Sequence, residues 1–464
     1  MTHPIAAPLY RQIYERVRGS IAEGRLRPGD RLPSARAYAQ ELGVARGTVD
    51  LAYAILAGEG YVEARGRAGT RVAAGATRVP GPRQASAASA VNVASALRQH
   101  GLLPLSPGVP AFDLFPRKLW TQLVRRHVRR LGRAELSYPD PQGNMKLREA
   151  VAAYLAVARG VTCSPDEVVI TGGFQSALGL VAQRLLRTGD AAWVEDPGYS
   201  PIRLALAQIG AQPVKVRVDA DGLDVDAGLA AAPEARLAVI APAHQFPMGV
   251  TLSLPRRLQL LDWAERADAW ILEDDFDGEF RYQGRPLPAL KSLDRSGRVF
   301  YTGTFSKTLF PALRLGYLVV PPSHVEAFRQ AMRYLDGGRP ALEQAVTAEF
   351  LSDGHFARHI KKMRAAYRSR RTALAAALAA RFGTSARIEQ GTGGLHLILR
   401  VEGGLGALEY MPWYGDQALG AIPMRVLTDR PDLTDGLLVG FANVPERQTA
   451  AIADQLHAAV EAAR

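Results

Sequence analysis

The chain of 464 residues holds a single cysteine, Cys163, which excludes an intrachain disulfide and any zinc site built on several thiolates, and fits a reducing compartment. No run of about 18 apolar residues occurs, so no segment reads as a membrane-spanning helix. The N-terminal Met1-Thr-His-Pro-Ile-Ala-Ala-Pro lacks the charged start and apolar core of a secretory leader. The expectation is a cytoplasmic protein. Lysine is also scarce: only 7 of the 57 basic residues are lysines, so chemistry that needs a titratable amine has few candidates. The Gly-x-x-x-x-Gly-Lys-Ser/Thr loop of nucleotide triphosphatases is absent, as are internal repeats and strongly spaced His/Cys metal ligands.

What is present is an average soluble composition, 47% apolar and 22% charged, on a chain too long for one core, so two or three domains are expected. The formal charge of +12 is compatible with a polyanionic partner. Residues 76–104 are rich in Ala, Ser, Gly and Pro without a sustained period and read as a flexible linker, dividing a block at 1–75 from one at 105–464.

In the first block Leu9, Ile13, Val17 and Ile21 recur every four residues, one stripe of a helix. A second helix starts near Ser34, a capping residue, and ends before Gly43. A third carries Val49, Ala52, Tyr53 and Leu56 inward and leaves Arg46, Gly47, Thr48 and Asp50 at its front end. Helix, glycine turn, helix is a helix-turn-helix pattern, and the two short strand-like pieces after it enclose a loop with Arg65, Gly66 and Arg67, a basic wing. Residues 1–78 hold 12 arginines against 7 acidic residues. By pattern alone this suits either a DNA reader, with donors set for phosphates and groove edges, or a small three-helix domain with a basic surface.

In the second block strand-like runs at Val168–Ile170, Ala192–Val194, Leu237–Ile240, Trp270–Leu272, Val299–Tyr301 and Tyr317–Val320 alternate with helical patterns. That predicts an α/β fold with a largely parallel sheet and a ligand site at the strand carboxyl ends, followed by a smaller C-terminal subdomain. Lys307, flanked by Thr304 and Ser306 with Arg314 seven residues on, suits an aldehyde that carries a phosphate: the amine can form a Schiff base and the neighbours can bind a dianion. A strand ending at Asp274 places a carboxylate where it would keep a pyridine nitrogen protonated; the alternatives for that acidic stretch are a solvated turn or a divalent-metal site. Thr171-Gly-Gly-Phe174-Gln175 runs from a strand into a helix start, a natural anion seat or a plain strand-to-helix turn.

The first block resembles the GntR-type winged helix-turn-helix through Leu9-Tyr10, Gly24-Arg-Leu-Arg-Pro-Gly-Asp-Arg-Leu-Pro-Ser34, Leu42-Gly-Val-Ala-Arg-Gly-Thr-Val49 and Ala52-Tyr-Ala-Ile-Leu-Ala-Gly-Glu-Gly-Tyr-Val62. That resemblance implies double-stranded DNA as partner, met by Arg36, Arg46, Thr48 and the wing at Arg65, Gly66 and Arg67. The second block resembles the fold type I pyridoxal-phosphate aminotransferases over about 350 residues, through the Lys307 and Asp274 segments, Pro107-Gly-Val-Pro, Tyr138-Pro-Asp-Pro-Gln-Gly143, Asp196-Pro-Gly-Tyr199 and Pro242-Ala-His-Gln-Phe-Pro-Met-Gly249. By that resemblance Lys307 is the Schiff-base lysine, Asp274 pairs with the pyridine nitrogen and Tyr199 stacks on the ring. Gln175, Thr304, Ser306 and Arg314 would hold the phosphate, Phe174 would also bind the cofactor, Tyr138 would reach across from a partner subunit, and His244 and Gln245 would lie near the ring.

Two positions depart from that pattern: Phe276 stands where a ring-oxygen-donating tyrosine is common, and Leu438, three residues before Phe441, stands where aminotransferases often carry a carboxylate-binding arginine. A GntR head joined to an aminotransferase-like body resembles the MocR-type transcription regulators. The resemblance implies a homodimeric, pyridoxal-phosphate-binding regulator, sensing the cofactor itself and controlling its synthesis. The competing readings are a regulator responding to an amine or amino acid, and an active aminotransferase carrying a DNA-binding head.

Overall fold

The computed structural model describes residues 8–64, 66, 69–74, 103–133, 135–284, 288–335, 337–403 and 419–463, and the chain forms two compact units, 1–90 and 91–464.

The first unit is built from helices α1 (Leu9–Ala22), α2 (Ala35–Leu42) and α3 (Arg46–Gly58) and the strands β1 (Val62–Ala64) and β2 (Thr70–Val72). In α1 the inward stripe is Ile13, Val17 and Ile21, while Leu9 is 55% exposed; the stripe begins one turn later than its spacing suggests, because the first turn overhangs the core. Ser34 caps α2, its Oγ accepting from Ala37 N at 3.2 Å, a contact worth about 1 kcal/mol. Gly43, at φ 66°, ends the helix in the left-handed region that glycine tolerates. Val49, Ala52, Tyr53 and Leu56 of α3 are buried against α1 and α2, and β1 pairs antiparallel with β2, Val62 opposite Val72.

The second unit is a wound α/β fold. Its strands are β3 (Val168–Thr171), β4 (Ala191–Asp196), β5 (Gln212–Asp219), β6 (Gly222–Leu223), β7 (Leu237–Ile240), β8 (Trp270–Asp275), β9 (Val299–Thr304) and β10 (Gly316–Val319). They form one sheet in the order β3-β10-β9-β8-β7-β4-β5-β6. Neighbours from β9 to β5 are parallel, and β10 runs antiparallel to both β3 and β9. The carboxyl ends of β3, β4, β7, β8 and β9 therefore share one edge. The buried runs of β3 and β7 follow from helices on both faces of the sheet. One face is covered by α4 (Phe174–Leu185) and α7 (Val325–Leu335), the other by α5 (Val225–Ala231) and α6 (Leu254–Arg266). On the second face the Trp193 and Trp263 rings stack at 4.0 Å.

A second sheet of four antiparallel strands, Ala386–Glu389, His396–Val401, Leu437–Gly440 and Ile422–Pro423 in that order, packs with the 28-residue helix α8 (His355–Phe382) and the terminal helix α9 (Thr449–Ala463). No described helix is long and apolar enough to cross a membrane. Among the described residues no group of His, Cys, Asp and Glu is placed to hold a metal ion.

Candidate cofactor site and DNA-reading face

At the sheet edge β3 runs into Gly172 and Gly173. Gly173 sits at φ 100°, ψ −175° and precedes the first turn of α4, a conformation a side chain would strain. The close approach of β10 is equally restrictive: a Cβ on Gly316 would lie 2.8 Å from Gly173 Cα. The result is a helix start with free backbone amides. Around it, Gln175 Nε2 is buried without a partner, and Arg339 Nη2 donates to Ser176 Oγ at 3.0 Å. Thr304 faces the same turn from β9, its Oγ1 accepting from Ser306 N at 3.1 Å. Arg314 follows a 3-10 turn, exposed and held at φ 52°. Phe174 lies beside Tyr199, ring centroids 6.5 Å apart, and Phe246 meets Tyr199 edge-on at 6.0 Å.

Lys307 is half-buried one turn beyond β9, and its Nζ donates to Gly108 O at 2.7 Å. Burial pushes this amine below its usual range, opposed by the carboxylates of Asp277 and Asp274. Asp274, at the end of β8, is raised well above the ordinary carboxylate range by burial and by Asp275 and Asp277, and its Oδ1 has no partner. Deeper, burial lifts Glu195 to about 8. A buried carboxyl and a buried amide without partners, beside an amine and a helix start, are what a pyridine nitrogen and a phosphate would satisfy; the donor set fits the group.

His244 is buried, its Nδ1 3.1 and 3.2 Å from the two carboxylate oxygens of Asp277. Its ring fills the space a side chain on Gly394 would take. His396 lies 5.6 Å away ring to ring, its Nε2 2.9 Å from Pro247 O, and burial lowers it to about 3, so this imidazole is neutral. Gln245 spends both ends of its amide on the backbone: Nε2 donates to Pro197 O (2.8 Å) and Phe246 O (2.6 Å), and its carbonyl accepts from Met248 N. It braces the turn after β7. Tyr138 is 97% exposed in the single chain. Leu438 faces the sheet side that His396 also occupies, fully buried with Ile398, Ile422, Met424 and Leu427 and flanked by Phe246; the wall is apolar there. Asp277, Gly108 and Gly316 were not singled out from the sequence. Gly108 lies in the quoted Pro107-Gly-Val-Pro segment, but its use of a carbonyl leaves no side-chain signal.

In the first unit Arg36 and Arg46 are exposed and Thr48 is half-buried. Arg46 Nε pairs with Asp50 at 3.3 Å. Gly66 is exposed at the wing tip, φ 52°; Arg65 and Arg67 lie outside the described residues.

Residues 9–72 match the bacterial regulatory proteins of the gntR family, and residues 101–401 match aminotransferase class I and II. A gntR head and an aminotransferase-fold body in one chain make a DNA-binding regulator built on the fold of pyridoxal-phosphate enzymes. The "Probable rhizopine catabolism regulatory protein MocR" of Rhizobium meliloti is 37% identical over 409 residues, covering 85% of this chain and 82% of that one. The transcriptional regulator TauR of Rhodobacter capsulatus is 39% identical over 392 residues (80% and 79%). The pyridoxine biosynthesis regulator PdxR of Corynebacterium glutamicum is 33% identical over 391 (84% and 82%). The chain belongs to this MocR-type family of GntR regulators with an aminotransferase-like domain. Among solved structures, α-aminoadipate aminotransferase LysN of Thermus thermophilus, complexed with N-(5'-phosphopyridoxyl)-L-leucine, aligns with TM-score 0.72 at 27% identity, covering 80% of this chain and 95% of that one.

Proposed function

We propose that this regulator holds pyridoxal phosphate at the β8–β9 edge and that occupancy of this site, rather than turnover, sets how its heads engage DNA. The observation that carries the reading is the buried, unpartnered Asp274 Oδ1 beside the Lys307 amine. When bound, the cofactor supplies an aldehyde for a lysine and a ring that acts as an electron sink. Lys307 is the residue that would hold the aldehyde, Asp274 the ring nitrogen, and Tyr199 with Phe174 the ring face. Gln175, Thr304, Ser306 and Arg314 would hold the phosphate. His244 is oriented by Asp277 from behind. The exposed Tyr138 belongs to a homodimer in which it completes the partner's site.

The domain limits we assign are 1–75 for the head, 76–104 for the linker and 105–464 for the body. The head reads DNA through Arg36, Arg46, Thr48 and the wing at Arg65, Gly66 and Arg67. The cofactor itself is the signal: Leu438 leaves an apolar wall where an amino-acid carboxylate would need a cation, and a PdxR-named relative is 33% identical.

The test is a titration of purified protein with pyridoxal phosphate, followed by its visible absorbance, alongside binding to the DNA upstream of its own coding sequence. Lys307→Ala abolishes the visible band and Arg46→Ala weakens DNA binding while leaving the band intact. A colourless protein that gains no band with added cofactor refutes the cofactor assignment. DNA binding that responds only to an added amine or amino acid favours the competing effector.

A further inference from the structure

Away from the cofactor edge, a cavity of about 520 Å³ opens between the end of the helix Met145–Ala158, the turn Gly278–Gly284 and the first half of α8. Its volume lies within the roughly 300–1,000 Å³ range of small-ligand sites. Lys361, Arg364 and Arg368 of α8 line it, three and four residues apart and therefore on one helix face, and Arg281 joins them from the turn. Its floor is apolar, formed by Tyr154, Phe356 and Ile360.

Among the described residues none of these four cations has a carboxylate partner. Arg364 donates through Nε and Nη2 to Glu279 O at 3.0 and 2.8 Å. Arg368 reaches Tyr282 O at 3.5 Å, and Arg281 reaches Thr251 Oγ1 at 3.5 Å while its Nε is buried without a partner. Among the described residues Lys361 makes no hydrogen bond or ion pair. The lining carboxylate, Glu279, is already spent on Tyr154 Oη (2.6 Å) and Arg159 (3.0 Å). Elsewhere on the same unit arginines do find acids, as Arg370 does with Asp113 and Arg298 with Asp268. Four like charges converging on one hollow repel one another, and an anion relieves that repulsion.

We propose that this cavity is a second ligand site, distinct from the cofactor seat, for a small organic polyanion: a phosphorylated or polycarboxylic metabolite whose body rests on Tyr154 and Ile360. A concave cavity with a buried Phe356 at its base suits a small molecule, since a duplex backbone cannot follow the wall inward. The site is also wired to the cofactor edge. The Glu279 carbonyl that holds Arg364 closes the turn that begins at Asp274 and carries Asp277, the partner of His244. Gly278 lines both this cavity and the small hollow behind His244. An anion that draws Arg364 off Glu279 shifts that turn.

The experiment is calorimetry on the full chain loaded with pyridoxal phosphate, so that the helix-start anion seat is filled, titrated separately with citrate and inorganic pyrophosphate at fixed ionic strength. The expected result is one saturable site per chain with a sub-millimolar dissociation constant, accompanied by a change in the cofactor's visible band. Lys361→Ala/Arg368→Ala, two exposed positions, should weaken binding at least about 10-fold by deleting two charge-assisted contacts, leaving the band without anion unchanged. No saturable binding of either anion up to about 10 mM, a concentration matching only very weak affinity, overturns the proposal, as does unchanged affinity in the double variant. If the double variant loses DNA binding and the wild type binds neither anion, the face serves nucleic acid and the proposal fails.

Discussion

Asp274→Asn separates stability from cofactor affinity in opposite directions. The carboxyl is buried, its Oδ1 has no partner, and Asp275 and Asp277 stand beside it. An isosteric amide removes a charge that the unloaded site does not compensate, a gain of about 1–3 kcal/mol, which raises the melting temperature by a few degrees. The pH dependence fixes the cause. Because the folded carboxyl titrates above its unfolded value, the folded state holds the proton longer, and wild-type stability falls as pH rises through the folded pKa. The advantage of the variant is therefore absent below the unfolded value of 3.8 and full above the folded one. In the loaded protein the sign inverts: losing a charge-assisted bond to the pyridine nitrogen costs about 1.5–3 kcal/mol, or about 10- to 150-fold in affinity. Thermal melts of cofactor-free wild type and variant across pH 4–9, with cofactor titrations at one pH, decide it. A cofactor-free variant that is less stable than wild type at high pH, or whose advantage does not change with pH, would show that Asp274 is compensated internally and the reasoning is wrong.

Other substitutions test separate parts. Leu56→Ala, at a fully buried position of the head, should cost about 2–5 kcal/mol and abolish DNA binding while the visible cofactor band persists. Gly228→Val should destabilise the body by about 1–3 kcal/mol, because a Cβ there lies 2.9 Å from the Trp193 ring; denaturant melts read this. Glu273→Leu strands the Leu290 and Lys291 amides, each now donating at 2.8 Å, a loss of about 1–3 kcal/mol per group.

The sheet was legible because six of its strands are fully or mostly buried apolar runs, and each expected run from Val168 to Val320 falls in or beside an observed strand. Strand β5 escaped notice: Gln212–Asp219 sits near the sheet edge with exposed and buried residues mixed, so it lacks the continuous apolar signature. Ser34 and Gly43 revealed α2 at both ends because capping chemistry is local. Residues that act through distant partners were not legible. Asp277 meets His244 across 33 positions, Lys307 rests on a carbonyl 199 positions away, and Arg159, an unremarkable arginine in sequence, is buried with Asp275 and Glu279.

The place of β3 in the sheet has a consequence for the timing of synthesis. Its one strand partner among the described residues is β10, so although Gln142 already bonds Ile170 and Val168, the sheet side of the glycine cradle at Gly172–Gly173 stays open until the ribosome has made Val319. At about 5–20 residues per second, that wait lasts roughly 7–30 s after β3 emerges. The head, whose core runs to Ala73, is made earlier still. Each new molecule therefore passes through an interval in which it can meet DNA but has nothing yet with which to read its signal.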